Sequence, residues 1–141
     1  ALVERRADVV WEGDLRQGAG RLRVGSGAFP ELSVTFSARA ETPDGKTSPE
    51  ELLAAAHAIC YAMALTHVLT QAGHSPERVA VTAVCGWDPM ALRVMRMALR
   101  PQAQAAGLTP DRFQELARQA EQLCPVSNAL RGNVEIVLEF E

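Results

Sequence analysis

The chain has 141 residues, the size of one domain, and at that length roughly two thirds of the unfolded chain's surface can be buried, so a single core spanning residues 1–141 is expected. Its formal net charge of −3, with Lys and Arg spread along the chain, argues against nucleic acid or an anionic membrane surface as the main partner. No uninterrupted apolar run approaches the ~20 residues that a bilayer span needs, and the opening "ALVERRADVV" carries charges where a signal peptide would be apolar, so a cytoplasmic address is expected and a membrane partner is not.

The N-terminal part, to about residue 40, reads as short antiparallel strands broken by glycines: "ADVVWEG", "GRLRVGSG" and "LSVTFSARA". In the last of these Leu32, Val34 and Phe36 alternate with polar or small residues. After the turn signal "ETPDGKT" comes a strong helix pattern, "SPEELLAAAHAICYAMALTHVLTQAG". Ser48 suits the N-cap, Pro49 the first helical position, Glu51 a capping box, and Gly73 the left-handed residue beyond the end. A helix of about 24 residues would run about 36 Å. Its nearly charge-free middle, from Leu52 to Met63, predicts burial on more than one side, as for a central helix.

Two strands follow, "RVAVTAVCG" and "ALRVMRMALR", joined through the turn former "WDPM". "LTPDRFQELARQAEQL" predicts a helix with Thr109 as N-cap and Pro110 at its first position. "CPVSNALRG" repeats the pattern with Cys124 as N-cap, Pro125 next and Gly132 closing. The final "NVEIVLEFE" places Val134, Ile136, Leu138 and Phe140 on one side of a strand. The order of elements is that of an α+β domain, with antiparallel sheet and a long central helix.

Three cysteines, Cys60, Cys85 and Cys124, form neither a disulfide framework nor a paired metal motif. Cys85 shares a strand face with Val79, Val81 and Ala83 and reads as a packing residue. Cys60 lies in the apolar helix, where offsets of seven and ten residues from Glu50 bring His57 and Cys60 into one sector of about 80°. Glu50 is about 15 Å along the axis from Cys60, so a cation is needed to link them. Arg21, Arg23 and Arg39 are the candidates. A cation beside a thiol lowers its pKa, and two units of lowering favour the thiolate by about 2.7 kcal/mol. Cys124, at an N-cap, has free backbone N–H groups nearby, which suits a resolving thiol.

"TSPEELLAAAHAICYAMAL" together with "CPVSNALRGNVEI" resembles the OsmC/Ohr family, the osmotically inducible and organic hydroperoxide resistance proteins, and is closest to the OsmC branch. The resemblance implies a thiol peroxidase working without metal, haem or flavin, as an intertwined homodimer, with an external dithiol, of lipoyl type among the options, as reductant. By motif it makes Cys60 the peroxidatic cysteine, Cys124 the resolving one, Glu50 the carboxylate that holds a catalytic arginine, and Arg39 in "FSARAE" that arginine. It places Arg39 in the strand before the central helix. The Ohr branch carries its arginine nearer Arg21 and Arg23. The chain departs from the family at Tyr61, where Phe is usual, and at Ala40, where an aromatic is common. The alternatives are a redox sensor or binding protein using the same cysteine pair, and a metal site built from His57, Cys60 and Cys124.

Overall fold

The computed structural model describes residues 1–141 as two compact units, Ala1–Leu52 and Leu53–Glu141. The first holds β1 (Ala7–Glu12), β2 (Ala19–Val24) and β3 (Leu32–Val34), an antiparallel sheet in the order β1-β2-β3. Gly20 sits in its middle strand because a Cβ there would fall 2.7 Å from the Trp11 ring and 2.8 Å from Val34. Only glycine lets those two side chains close over the strand. Leu22 is buried on β2, whereas Val9 and Val10 of β1 stay more than half exposed.

The third strand ends earlier than the alternation of Leu32, Val34 and Phe36 suggested. Phe36–Ala40 form a short helix, α1, so Arg39 lies on a helix and not on a strand. The cause is local: the Thr35 hydroxyl accepts a hydrogen bond from the Ala38 N–H at 3.2 Å, a capping contact that competes with the extended ladder.

The long helix α2 runs over Pro49–Gln71. Ser48 Oγ accepts from the Glu51 N–H at 3.1 Å, and beyond the last turn Gly73 takes φ +86° while the His74 N–H reaches back to the Leu69 carbonyl at 2.8 Å. Both ends therefore stop where the capping residues dictate. The expected burial on more than one side does not occur within the chain. His57, Tyr61, Leu65, Val68 and Leu69 are buried at three- and four-residue spacing, while Ile59 and Met63 are 59% and 68% exposed. This helix is long and apolar enough, with a mean hydropathy of 1.7, to pass by length and composition as a membrane span, since His57 interrupts its apolar run without making the helix polar.

The second unit also contains β4 (Arg78–Asp88), β5 (Arg93–Gln104), α3 (Pro110–Leu123), α4 (Pro125–Leu130) and β6 (Glu135–Leu138). β4 and β5 form a long antiparallel hairpin, turned where Asp88 Oδ1 accepts from the N–H groups of Met90 and Ala91. β6 joins the other side of β5 in parallel, so the sheet, in the order β4-β5-β6, is not antiparallel throughout as the strand pattern implied. The reason is the crossover: a parallel neighbour requires a long connection, and α3 and α4 supply it. Pro101 is tolerated in β5 because it lies beyond the Arg96–Leu99 stretch that β6 pairs with.

The core of this unit packs Tyr61, Leu65 and Leu69 of α2 against Met97 and Leu99 of β5 and Leu116, Ala117 and Ala120 of α3. Each large side chain buried there contributes about 1.5–3 kcal/mol. Cys85, with Val79, Val81 and Ala83, packs against this core from β4.

Candidate active site

The four residues singled out by motif come together as two pairs, one in each unit. In the first, Arg39 of α1 grips Glu50 at the start of α2: Nε donates to Oε1 at 3.0 Å and Nη2 to Oε2 at 2.8 Å. The fork is bidentate, the geometry in which a guanidinium holds a carboxylate most firmly. The Glu50 side chain is 8% exposed and that of Arg39 40%. Arg21 and Arg23 are engaged elsewhere, with Glu12 and Glu31, on the open face of β2.

The second pair is Cys60 and Cys124, both reduced. Cys124 has no solvent exposure and serves two helices at once, closing α3 as its C-cap and opening α4 as its N-cap. Its sulfur accepts from the Ser127 N–H at 3.5 Å. Cys60, half-buried on α2, lies near the Cys124 thiol and the Val126 backbone N–H, close enough for both to bear on its titration. The first turn of α4 thus offers a backbone donor to the Cys124 sulfur, an N–H group that a helix start leaves without an internal partner. Burial pushes the Cys60 thiol up from its ordinary pKa, the Val126 N–H opposes that, and the neighbouring Cys124 adds to the rise. In this setting Cys60 is held as a neutral thiol, the direction opposite to the one an activated nucleophile needs.

Around the thiols lies a buried polar shell. His57 and Ser127, neither with any solvent exposure, share a 2.7 Å hydrogen bond between Nε2 and Oγ, linking α2 to α4. His57 Nδ1 has no partner. Burial lowers the His57 pKa, with the Glu121 carboxylate pulling the other way, which favours the neutral ring. Tyr61, the departure from the usual Phe, is fully buried and donates its hydroxyl to the Ala117 carbonyl of α3 at 2.8 Å. Burial raises its pKa, so the phenol stays protonated and the extra oxygen is satisfied on the neighbouring helix. Ala40, the other departure, is exposed at the end of α1.

Glu121 and Arg131 close the shell. Arg131 Nη1 lies 2.8 Å from Glu121 Oε1, a charge contact without hydrogen-bond alignment, and donates to Oε2 at 3.1 Å. Arg131 Nη2 also donates to the Glu121 carbonyl and to Asn128 Oδ1, so this one side chain ties the end of α4 to the end of α3. Sequence reasoning passed over Ser127, Glu121 and Arg131. Ser127 was detectable as the third residue after the capping Cys124, where its hydroxyl follows the same helix face. The ten-residue offset between Glu121 and Arg131 spans two helices and a joint, and carries no periodic signal. No three His, Cys, Asp or Glu side chains converge as they would around a metal ion, and His57 Nε2 is engaged by Ser127.

A long helix that shares its core with a small mixed sheet and a further helix makes this unit an α+β fold. The sequence model described as OsmC-like protein matches residues 42–139, and the chain belongs to that family. It is 32% identical to peroxiredoxin OsmC of Escherichia coli (strain K12), over 99% of this chain and 96% of that protein. It is 28% identical to the organic hydroperoxide resistance protein OhrB of Bacillus subtilis (strain 168), over 87% and 90% of the two chains. The crystal structure of an organic hydroperoxide resistance protein OsmC from Legionella pneumophila superposes with a TM-score of 0.76 at 27% identity, covering 100% of this chain and 98% of that one.

Proposed function

We propose that the protein is a soluble thiol peroxidase that reduces organic hydroperoxides, with Cys60 as the peroxidatic and Cys124 as the resolving residue. The observation that carries this reading is the proximity of the two thiols at the first turn of α4, where the Ser127 N–H donates to the Cys124 sulfur. The names of the relatives, peroxiredoxin and organic hydroperoxide resistance protein, support the substrate class.

In the first step the Cys60 thiolate attacks one peroxide oxygen. The O–O bond breaks, the alkoxide leaves and takes a proton to become an alcohol, and Cys60 becomes a sulfenic acid. In the second, the Cys124 sulfur attacks the Cys60 sulfur: an S–S bond forms, the S–O bond breaks, and the leaving hydroxide takes the Cys124 proton as water. An external dithiol then reduces the disulfide, becoming a disulfide itself. The chemistry uses no metal or organic cofactor.

Because burial raises the Cys60 pKa, the first step needs a cation to favour the thiolate, and Arg39, oriented by Glu50, is assigned that role. The working form is a homodimer. Support comes from the uncovered apolar side of α2, where Ile59 and Met63 stand open. A single small chain leaves such a surface only where another surface covers it.

The reading is tested by treating reduced protein with one equivalent of an alkyl hydroperoxide and mapping disulfides by peptide mass spectrometry. A rapid Cys60–Cys124 link with Cys85 still free is expected, and its loss in Cys60→Ser. Three thiols that all stay reduced would overturn it.

A further inference from the structure

The thiols are not the only bridge between α2 and α4. His57 precedes Cys60 by three residues on α2, and Ser127 follows Cys124 by three on α4. His57 is hydrogen-bonded to Ser127, and Cys60 lies beside Cys124. The two helices therefore face each other in opposite senses, like rails joined by two rungs, with about 4.5 Å of helix between the rungs on each side. One rung is the reacting pair. The other is a hydrogen bond between two fully buried side chains.

We propose that the His57–Ser127 hydrogen bond is a positioning device that sets the separation and register of Cys60 and Cys124 for the disulfide-forming step. The inference rests on the thiol peroxidase reading above. Apolar contacts between two helices are non-directional and allow a small slide, whereas a buried hydrogen bond of 2.7 Å fixes both distance and direction. No water competes for either partner at zero exposure. The neutral state of His57, favoured by its burial, keeps a charge out of the space beside the reacting sulfurs.

Disulfide formation is demanding in this respect: the sulfurs must close to about 2.05 Å with Cα atoms about 4.4–6.8 Å apart. The other anchors act differently. Arg131 and Glu121 tie α4 to α3, and Tyr61 ties α2 to α3. The His57–Ser127 bond acts directly across the gap that the disulfide must span.

The test separates the two chemical steps. Reduced protein is mixed with one equivalent of an alkyl hydroperoxide, and samples are quenched at intervals with dimedone, which traps the Cys60 sulfenic acid, then read by mass spectrometry. Wild type is expected to pass to the disulfide with little trapped intermediate. In Ser127→Ala and His57→Leu, sulfenic acid should form at a rate within about threefold of wild type, then accumulate, because resolution slows roughly tenfold to a hundredfold for a displacement of this kind. His57→Gln, whose amide can still donate to Ser127, should recover most of the resolving rate. If His57→Leu does not fold, Ser127→Ala, which removes a single oxygen, carries the test.

Resolution at the wild-type rate in Ser127→Ala overturns the proposal. So does an equal slowing of both steps, which would mark a merely structural bond. Wild type that forms neither sulfenic acid nor disulfide would instead defeat the peroxidase reading itself.

Discussion

The helices α2 and α3 belong to the same core but present opposite surfaces to the outside. α3 is amphipathic: Leu116, Ala117 and Ala120 face inward, while Asp111, Glu115, Arg118 and Gln119 lie outward or half-covered. Water completes its surface. α2 has an equally regular inner stripe, yet its outer side carries Ala55, Ala56, Ile59 and Met63. The difference teaches that the pattern of a helix records every surface it meets in the working assembly. Solvent suits the outer side of α3, whereas the outer side of α2 leaves apolar side chains exposed, the surface assigned above to a second copy.

The strongest way to break the comparison is to charge the outer side of α2. Ile59→Asp with Met63→Asp should leave the chain's own core intact, since both side chains are exposed within it, but abolish dimerisation, because burying unpaired charges at an interface is prohibitive. Sedimentation velocity reads the result directly. Wild type that already sediments as a monomer would end the assignment of that surface to a second copy.

Next in size is truncation on the inner side. Leu65→Ala removes a side chain with no solvent exposure, and a loss of about 2–5 kcal/mol is expected from urea unfolding. Ile59→Ala, measured at a concentration low enough to hold the chain monomeric, should cost less than about 1 kcal/mol. Equal losses at the two positions would erase the distinction between the sides.

The smallest effect is a pH dependence that only α2's buried side carries. The folded-state pKa of His57 is lowered, chiefly by burial, so between that value and the unfolded value of about 6.5 the unfolded chain binds a proton that the folded chain does not. Stability from this group is fully present above about pH 6.5 and is lost as pH falls, by at most about 1.4 kcal/mol per unit. Unfolding midpoints at pH 7.5, 6 and 5 should fall less steeply for His57→Gln than for wild type.

Where the sequence was readable, short-range chemistry made it so. Ser48, Thr109 and Cys124, each followed by proline, located the starts of α2, α3 and α4, because a cap and a fixed φ act within one turn. The pairing of Cys60 with Cys124 was legible in another way, through the resemblance of the two segments around them to the OsmC/Ohr family. What escaped notice depends on neighbours distant in sequence or on competition between equals. The α1 helix won over the end of a strand by one hydroxyl contact from Thr35. The parallel direction of β6 follows from the path of two helices, which alternation along one strand does not encode. His57 was readable as a member of the Cys60 face, but its bond to Ser127 joins residues seventy positions apart and becomes visible only when α4 is in place.

Cys124 is the single residue between α3 and α4, closing one helix and opening the next. There is no linker to take up slack at this joint. Any travel of the sulfur toward Cys60 is therefore shared at once by both helices, with Arg131 bracing the end of α4 against the last turn of α3. A brace of this kind leaves the Cys124 sulfur no independent play, so its position is set by two helices at once.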